Sequence, residues 1–148
     1  MTGRVCRAFP VAFLLTIFST GGCGKSEPNV TLMPAAEKDL GTISQAFKEA
    51  YERSNKAPES FEDLRPYLKS LGRTPEDIQV SPNDGQPYVV MWGCDPTRGG
   101  SGGAQALTLI VCHEKTGKDG KRAVSDTRGR VATVTDEEFT RLKFIPKK

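Results

Sequence analysis

The run Ser81-Pro82-Asn83-Asp84-Gly85-Gln86-Pro87-Tyr88-Val89-Val90-Met91-Trp92 decides the fold. Its first half is dense in turn residues. Its second half alternates, with Tyr88, Val90 and Trp92 on one face and Val89 and Met91 on the other. That period predicts a strand over 87–93. Before the run, apolar residues recur at helical spacing. After it they keep the strand period. The chain therefore reads as α+β, helices first and sheet second.

Toward the N-terminus, Leu40, Ile43, Phe47, Ala50 and Tyr51 form one apolar stripe. Glu37, Lys38, Lys48, Glu49, Glu52 and Arg53 cover the opposite side. This spacing predicts an amphipathic helix over 36–54, ended by Asn55 and Pro58. Its stripe must rest on another element, most simply a sheet. Ser60, with Asp63 three residues later, opens a second helix through a capping box. Leu64, Tyr67, Leu68 and Leu71 give it an apolar face, and Pro66 keeps it short or kinked. Thr74-Pro75-Glu76-Asp77 reads as one further helical turn, with Pro75 at its first position.

Toward the C-terminus, Asp95 to Gly103 is a glycine-rich loop. A strand follows over about 105–114, with Leu107, Leu109 and Val111 on one side. Gly117-Lys118-Asp119-Gly120 is a hairpin turn. Strands over 121–126 and 129–134 flank Thr127-Arg128-Gly129. Thr135 caps a last short helix with Glu138 as its partner, and Phe139 and Leu142 pack that helix down. The expected architecture is an N-terminal amphipathic helix on a small antiparallel sheet of about four strands, with short extra helices.

A chain of 148 residues suits one domain plus a short appendage. It excludes large multi-domain enzymes and α/β barrels. Lys and Arg number 21 against 18 Asp and Glu, and two of the basic residues are Arg4 and Arg7 at the extreme N-terminus. No basic stripe remains to argue for a nucleic-acid partner. Hydrophobic residues are 36% of the chain and are concentrated near its start, which leaves the folded part a lean core.

That start has its own logic. Arg4 and Arg7 precede an apolar run from Ala8 to Phe18, broken only by Pro10 and Thr16. Spanning a bilayer takes about 20 apolar residues, so the run is too short for a stable anchor. It fits the apolar core of a secretory signal peptide over 1–22. Ser19-Thr20-Gly21-Gly22 then leads to Cys23. Small residues before a cysteine resemble the lipobox of bacterial lipoproteins, although Thr20 stands where that motif usually has Leu. The resemblance implies that Cys23 carries lipid and anchors the chain to a membrane of the bacterial cell envelope. The domain would then face the periplasm or the exterior, an oxidising compartment. The alternative is ordinary secretory cleavage, with Cys23 a plain residue. Residues 23–35 read as the lipidated cysteine and a flexible tether, rich in Gly, Ser and Pro, and 36–148 as the folded domain.

Three stretches of that domain resemble a known family. Tyr51 with Asn55 to Leu64 is similar to the helix exit and following Asp-Leu turn of type II secretion pseudopilins. Ser81 to Val89 resembles their loop ending in Gly-x-Pro-Tyr before the first strand. Asp126 to Val131 followed by Thr135 to Phe139 resembles envelope lipoproteins carrying a pseudopilin-like domain. The resemblance covers about 100 residues and implies a pilin-like fold. It does not carry over polymerisation, because Cys23-Gly24-Lys25-Ser26-Glu27 stands where pseudopilins begin a long apolar helix. Nor does it carry over their calcium, since Thr97 to Gln105 holds no carboxylate and calcium takes several oxygen ligands.

The chemistry-bearing residues are few. Cys94 and Cys112 are an even pair in an oxidising compartment, which suggests a disulfide. A simple hairpin of 87–93 with 105–114 opposes that, because it sets the two cysteines about 23 Å apart at strand rise, and a disulfide needs Cα atoms within about 7 Å. Bonded and thiol states both stay open. His113 lies between Cys112 and Glu114, but strand neighbours face opposite sides and cannot jointly hold a metal. Gly99-Gly100-Ser101-Gly102-Gly103 formally matches Gly-x-Ser-x-Gly, yet a strand follows it rather than a helix. Gly117 to Lys121 lacks phosphate-loop spacing. Asp136, Glu137 and Glu138 sit where a helix N-terminus favours negative charge. Trp92 belongs to a core stripe.

The expectation is a non-enzymatic, membrane-anchored envelope lipoprotein that presents an interaction domain to an envelope protein partner. It needs no cofactor and no metal. The competing readings are a minor subunit associated with a pilus or type II secretion apparatus, and a small exported hydrolase or thiol enzyme using Ser101, or Cys94 with His113.

Overall fold

The computed structural model describes residues 34–98 and 109–145. The expectations for the signal segment, Cys23, the tether before Pro34 and Ser101 with most of its glycine loop lie outside the described residues. Within them the chain is α+β. Its helices are α1 (Ala35–Ser54), α2 (Phe61–Ser70), α3 (Pro75–Ile78) and α4 (Asp136–Thr140). Its strands are β1 (Val89–Val90), β2 (Ile110–His113), β3 (Lys121–Asp126) and β4 (Val131–Thr135). The four strands form one antiparallel sheet in the order β1-β2-β3-β4.

The local punctuation acts where the sequence places it. Asn55 closes α1 in the left-handed region at φ 51°, donating its N–H to the Tyr51 carbonyl. At the start of α2, the Asp63 carboxylate takes the Ser60 N–H at 3.1 Å while Ser60 Oγ accepts from Asp63 N. Pro66 lies inside α2, which ends after ten residues. The β2–β3 turn places Asp119 and Gly120 at φ 53° and 69°, and Lys118 and Lys121 exchange both backbone bonds across it. Positive φ at both central residues is the two-residue hairpin turn that matches strand twist. Gly117 is obligatory here, because a Cβ would meet the Lys121 carbonyl oxygen at 2.1 Å.

Two strands are shorter than their period suggests. Pairing of β1 with β2 runs Val89↔His113 and Val90↔Cys112. Gly93 then turns at φ 73° and gives its N–H to the Pro58 carbonyl, so the chain leaves the sheet before 93. The place β1 vacates beside Ile110 is taken by the C-terminal segment. Ile110 N donates to the Lys143 carbonyl at 2.9 Å, and Ile145 N to the Ile110 carbonyl at 3.3 Å. β4 begins two residues later than expected, because Gly129 turns at φ 77° and Arg130 still belongs to the turn.

The core has two parts, one on each sheet face. Leu40, Ile43, Phe47 and Ala50 of α1 bury their stripe against Val111, Cys112 and Ala123, joined by Leu64, Leu68 and Ile78. Phe47 and Trp92 stack at 6.2 Å between ring centroids, and Phe61 meets Trp92 edge-on at 5.1 Å. On the other face Ile110, Val124 and Val134 are covered by Phe139, Leu142 and Phe144. One helical layer was expected; α4 and the segment after it supply a second cover.

A carboxylate ties the turn of 81–87 to the β2–β3 hairpin. Asp84 Oδ2 accepts from Thr116 N at 2.9 Å, Thr116 Oγ1 at 2.8 Å and Gly117 N at 2.8 Å, and Oδ1 accepts from Gln86 N at 2.9 Å. Burial alone would raise its pKa, but these donors win and pull it down to about 2. The native pKa thus lies below the unfolded one. The stabilisation is fully present above the unfolded value of 3.8 and is lost as pH falls through the native one. Asp84→Ala is expected to cost about 1–2 kcal/mol at pH 7. It is also expected to flatten the fall in urea midpoint between pH 4 and pH 2. A variant with the native acid slope would refute the assignment.

Candidate functional site

The chemistry-bearing side chains converge on one short stretch, the end of β2. Cys112, His113 and Glu114 are consecutive, and the pleat sends them to alternate sides. Cys112 points under α1. It is fully buried, and its Sγ lies 3.7 Å from the Leu40 carbonyl oxygen. Burial pushes its thiol pKa well up, which suppresses the thiolate needed for nucleophilic work. Glu114 follows on the same side. Its Oε1 accepts from Ser81 Oγ at 2.5 Å and its Oε2 from Ala123 N at 2.7 Å. This carboxylate extends the ladder past the end of β2 and pins the 81–87 turn to the sheet.

His113 points to the other side. It packs against Phe139 at 4.8 Å and Phe144 at 5.6 Å between ring centroids. Its Nδ1 lies 2.7 Å from the Glu114 carbonyl oxygen. Burial lowers its pKa, against the opposing pull of the Glu114 carbonyl, and so disfavours the charged ring. Arg122 lies over the Phe139 ring at 4.1 Å, completing an aromatic and cationic stack.

Cys94 and Cys112 are not joined. Cys112 is a free thiol opposite Val90 in the sheet, whereas Cys94 lies beyond the Gly93 turn, with Sγ 3.8 Å from the Ile145 carbonyl oxygen. The turn of the chain at Gly93 directs one sulfur toward the C-terminal segment and the helix claims the other. Trp92 sits in the aromatic group with Phe47 and Phe61, as a core stripe. Asp136 accepts from Arg122 Nη2 at 2.5 Å, and Glu138 completes the capping box with Thr135 at 2.8 Å. These carboxylates serve the helix start and the β3–β4 ladder. Among the described residues, no group of three or more His, Cys, Asp or Glu side chains could hold a metal ion.

Sequence reading missed the polar groups that lock the domain. Asp126 is fully buried and accepts from Arg130 Nε at 2.9 Å and Nη2 at 2.7 Å, and from the Arg128 and Arg130 backbone N–H groups at 2.9 and 3.0 Å. Its carbonyl takes a bond from Ser44 Oγ of α1 at 3.1 Å. Asp39, on the same helix, pairs with Arg73 at 2.8 Å. Burial raises the Asp39 pKa against the pull of Arg73. The Asp126 and Arg130 spacing across a glycine turn was the available signal. Asp39 gave none beyond a charge beside the apolar stripe.

One surface groove runs between α1 and the β3–β4 turn, about 410 Å³ in volume, with Gly41, Gln45, Lys48, Glu49 and Arg128 along it. Its lining is polar and of mixed charge. Among the described residues no helix is long and apolar enough to cross a membrane. No protein-family model, curated protein or solved structure matches the chain.

Proposed function

We propose that this chain is a non-enzymatic lipoprotein of the bacterial envelope, which presents a pseudopilin-like α+β domain to a protein partner. The observation that carries this reading is the order of segments. A basic start, a short apolar run and small residues lead to Cys23, and Gly24 to Pro34 then separates Cys23 from the first residue of α1, Ala35. A lipid at Cys23 would hold the chain at a membrane, and those residues would set the domain off from it. The site chemistry supports display rather than catalysis. Cys112, His113 and Glu114 all serve packing or the ladder, and Asp136 and Glu138 serve a helix cap. Partner recognition then falls to the surface, where loops and open strand edges do such work.

Cys23→Ala is expected to move the protein from the membrane to the soluble fraction. The native protein is expected to have an intact mass that begins at Cys23 and carries acyl chains. Unchanged membrane association of the variant would reject the anchor.

A further inference from the structure

The sheet has two edges, and they are treated differently. On the β1 side most backbone groups find partners. Tyr88 N donates to the Gln79 carbonyl, Gly93 N to the Pro58 carbonyl, and residues 143–145 pair with Ile110. On the other side β4 ends the sheet. Asp126 N donates to the Arg130 carbonyl and Asp136 N to the Gly120 carbonyl. Alternation then makes 124/132 and 122/134 the bonded pairs between them. The N–H and C=O groups of Val131 and Thr133 therefore point out of the sheet, whereas the Thr135 carbonyl, at the N-cap of α4, takes the first bond of that helix. The Thr135 N–H is held by the Glu138 carboxylate at 2.8 Å. No backbone group among the described residues takes the outward groups of Val131 and Thr133.

Open edges are usually blunted by Lys, Pro, a bulge or a covering element. β4 reads Val-Ala-Thr-Val-Thr, with no charge and no proline, and its register with β3 is unbroken from Lys121↔Thr135 to Ser125↔Val131. We propose that β4 pairs antiparallel with β4 of a second copy of this chain, about a two-fold axis at Thr133. The pairing makes one continuous sheet across both copies.

Three observations select a second copy as the occupant. First, the strand complements its own reverse. Thr133 faces Thr133, and each copy's Thr133 N–H reaches the other's Thr133 carbonyl. Val131 faces Thr135, whose N–H is held by Glu138 and whose carbonyl opens α4, so the bonds across the axis are those of Thr133. Ala132 faces Val134, apolar against apolar on the Phe139 side. Second, each end of the strand keeps a net sign after its internal ion pairs: before it Arg130 is paired with Asp126 and Arg128 adds a positive charge, and after it Asp136 is paired with Arg122, Glu137 with Arg141, and Glu138 adds a negative charge. Antiparallel pairing brings the basic end of one copy to the acidic end of the other, whereas parallel pairing sets like against like. Third, the Glu37 carboxylate accepts from Thr133 Oγ1 at 2.6 Å, so the first turn of α1 lies at the axis. The first turns of α1 in the two copies then lie side by side, which suits two chains anchored on one membrane. This third point alone rests on the proposed anchor. Confinement to one surface raises the effective concentration and favours a small interface.

The test uses the full chain in membranes. Carbons α across a hydrogen-bonded antiparallel pair are about 5.5 Å apart, within disulfide range. Thr133→Cys is therefore expected to give a disulfide-linked dimer on mild oxidation, while Lys69→Cys, on the exposed side of α2, stays monomeric. In detergent, the native chain is expected to sediment as a dimer. Thr133→Pro deletes an outward N–H without touching the β3–β4 ladder, and is expected to halve the mass with an unchanged circular dichroism spectrum. Equal cross-linking at 133 and 69, or a native chain that sediments as a monomer, overturns the pairing. Failure of the anchor reads differently, because Cys23→Ala would then leave membrane association unchanged whatever the Thr133→Cys link does.

Discussion

Asp126→Ala is expected to lower the unfolding free energy by about 3–5 kcal/mol, the range for removing one partner of a buried ion pair. The carboxylate is fully buried, and four donors from Arg128 and Arg130 converge on it. Alanine returns none of them. It leaves two backbone N–H groups and a guanidinium facing a void, each carrying a desolvation penalty. The damage reaches α1 as well, because the same turn positions the Asp126 carbonyl that accepts from Ser44 Oγ. Small domains hold about 5–15 kcal/mol in total, so the variant would sit near the edge of folding. Urea unfolding followed by circular dichroism reads the change as a lower midpoint with an unaltered slope. Asp126→Asn keeps one oxygen for the two backbone donors and is expected to lose less. A loss below about 1 kcal/mol for the alanine variant, the size of one ordinary hydrogen bond, would show that the network does not lock the turn.

Phe47→Ala is expected to cost about 3–5 kcal/mol, by transfer loss plus the cavity left behind. Among the described residues Phe47 is the largest fully buried side chain, and it lies where α1, the sheet and Trp92 meet. Its removal opens the centre of the larger core while leaving every cap and turn intact. Trp92 is the sole tryptophan, so its emission reports on this position directly. The native-state spectrum of the variant is expected to shift to longer wavelength as water reaches the indole, and the urea midpoint to fall. Phe47→Leu refills most of the space and is expected to lose less, about 1–2 kcal/mol. Equal losses for the two variants would place the energetic centre of the core elsewhere.

Much of this architecture is legible in the sequence because local chemistry and global fold agree. Asn55, the Ser60–Asp63 pair, Pro75, Asp119-Gly120 and the Thr135–Glu138 pair each force one backbone geometry, and each acts at the expected place. The stripe of α1 finds the sheet for the same reason. The differences arise where long-range contacts outweigh local pattern. Alternation from Tyr88 to Trp92 signals a strand, but Gly93 is drawn to Pro58, thirty-five residues away, and β1 ends at Val90 with one further bond from Met91 N to the Val111 carbonyl. The second cover of the sheet depends on Phe144, which no period marks. Asp126, Asp39 and Glu114 look like ordinary surface charges in sequence, since burial of a paired carboxylate leaves no periodic trace. The β2 end was read correctly as a place where neighbours diverge, because the pleat alone decides it.

The exchange of sheet partners at Ile110 also governs when the domain is complete. Residues 143–145 are synthesised after all four strands, yet they supply the hydrogen bonds that β1 abandons. A nascent chain lacking them leaves the backbone of Ile110 unpaired and the Val124 face uncovered. The four strands can pair in order as they emerge, but the edge at Ile110 is completed only once residues 143–145 are present.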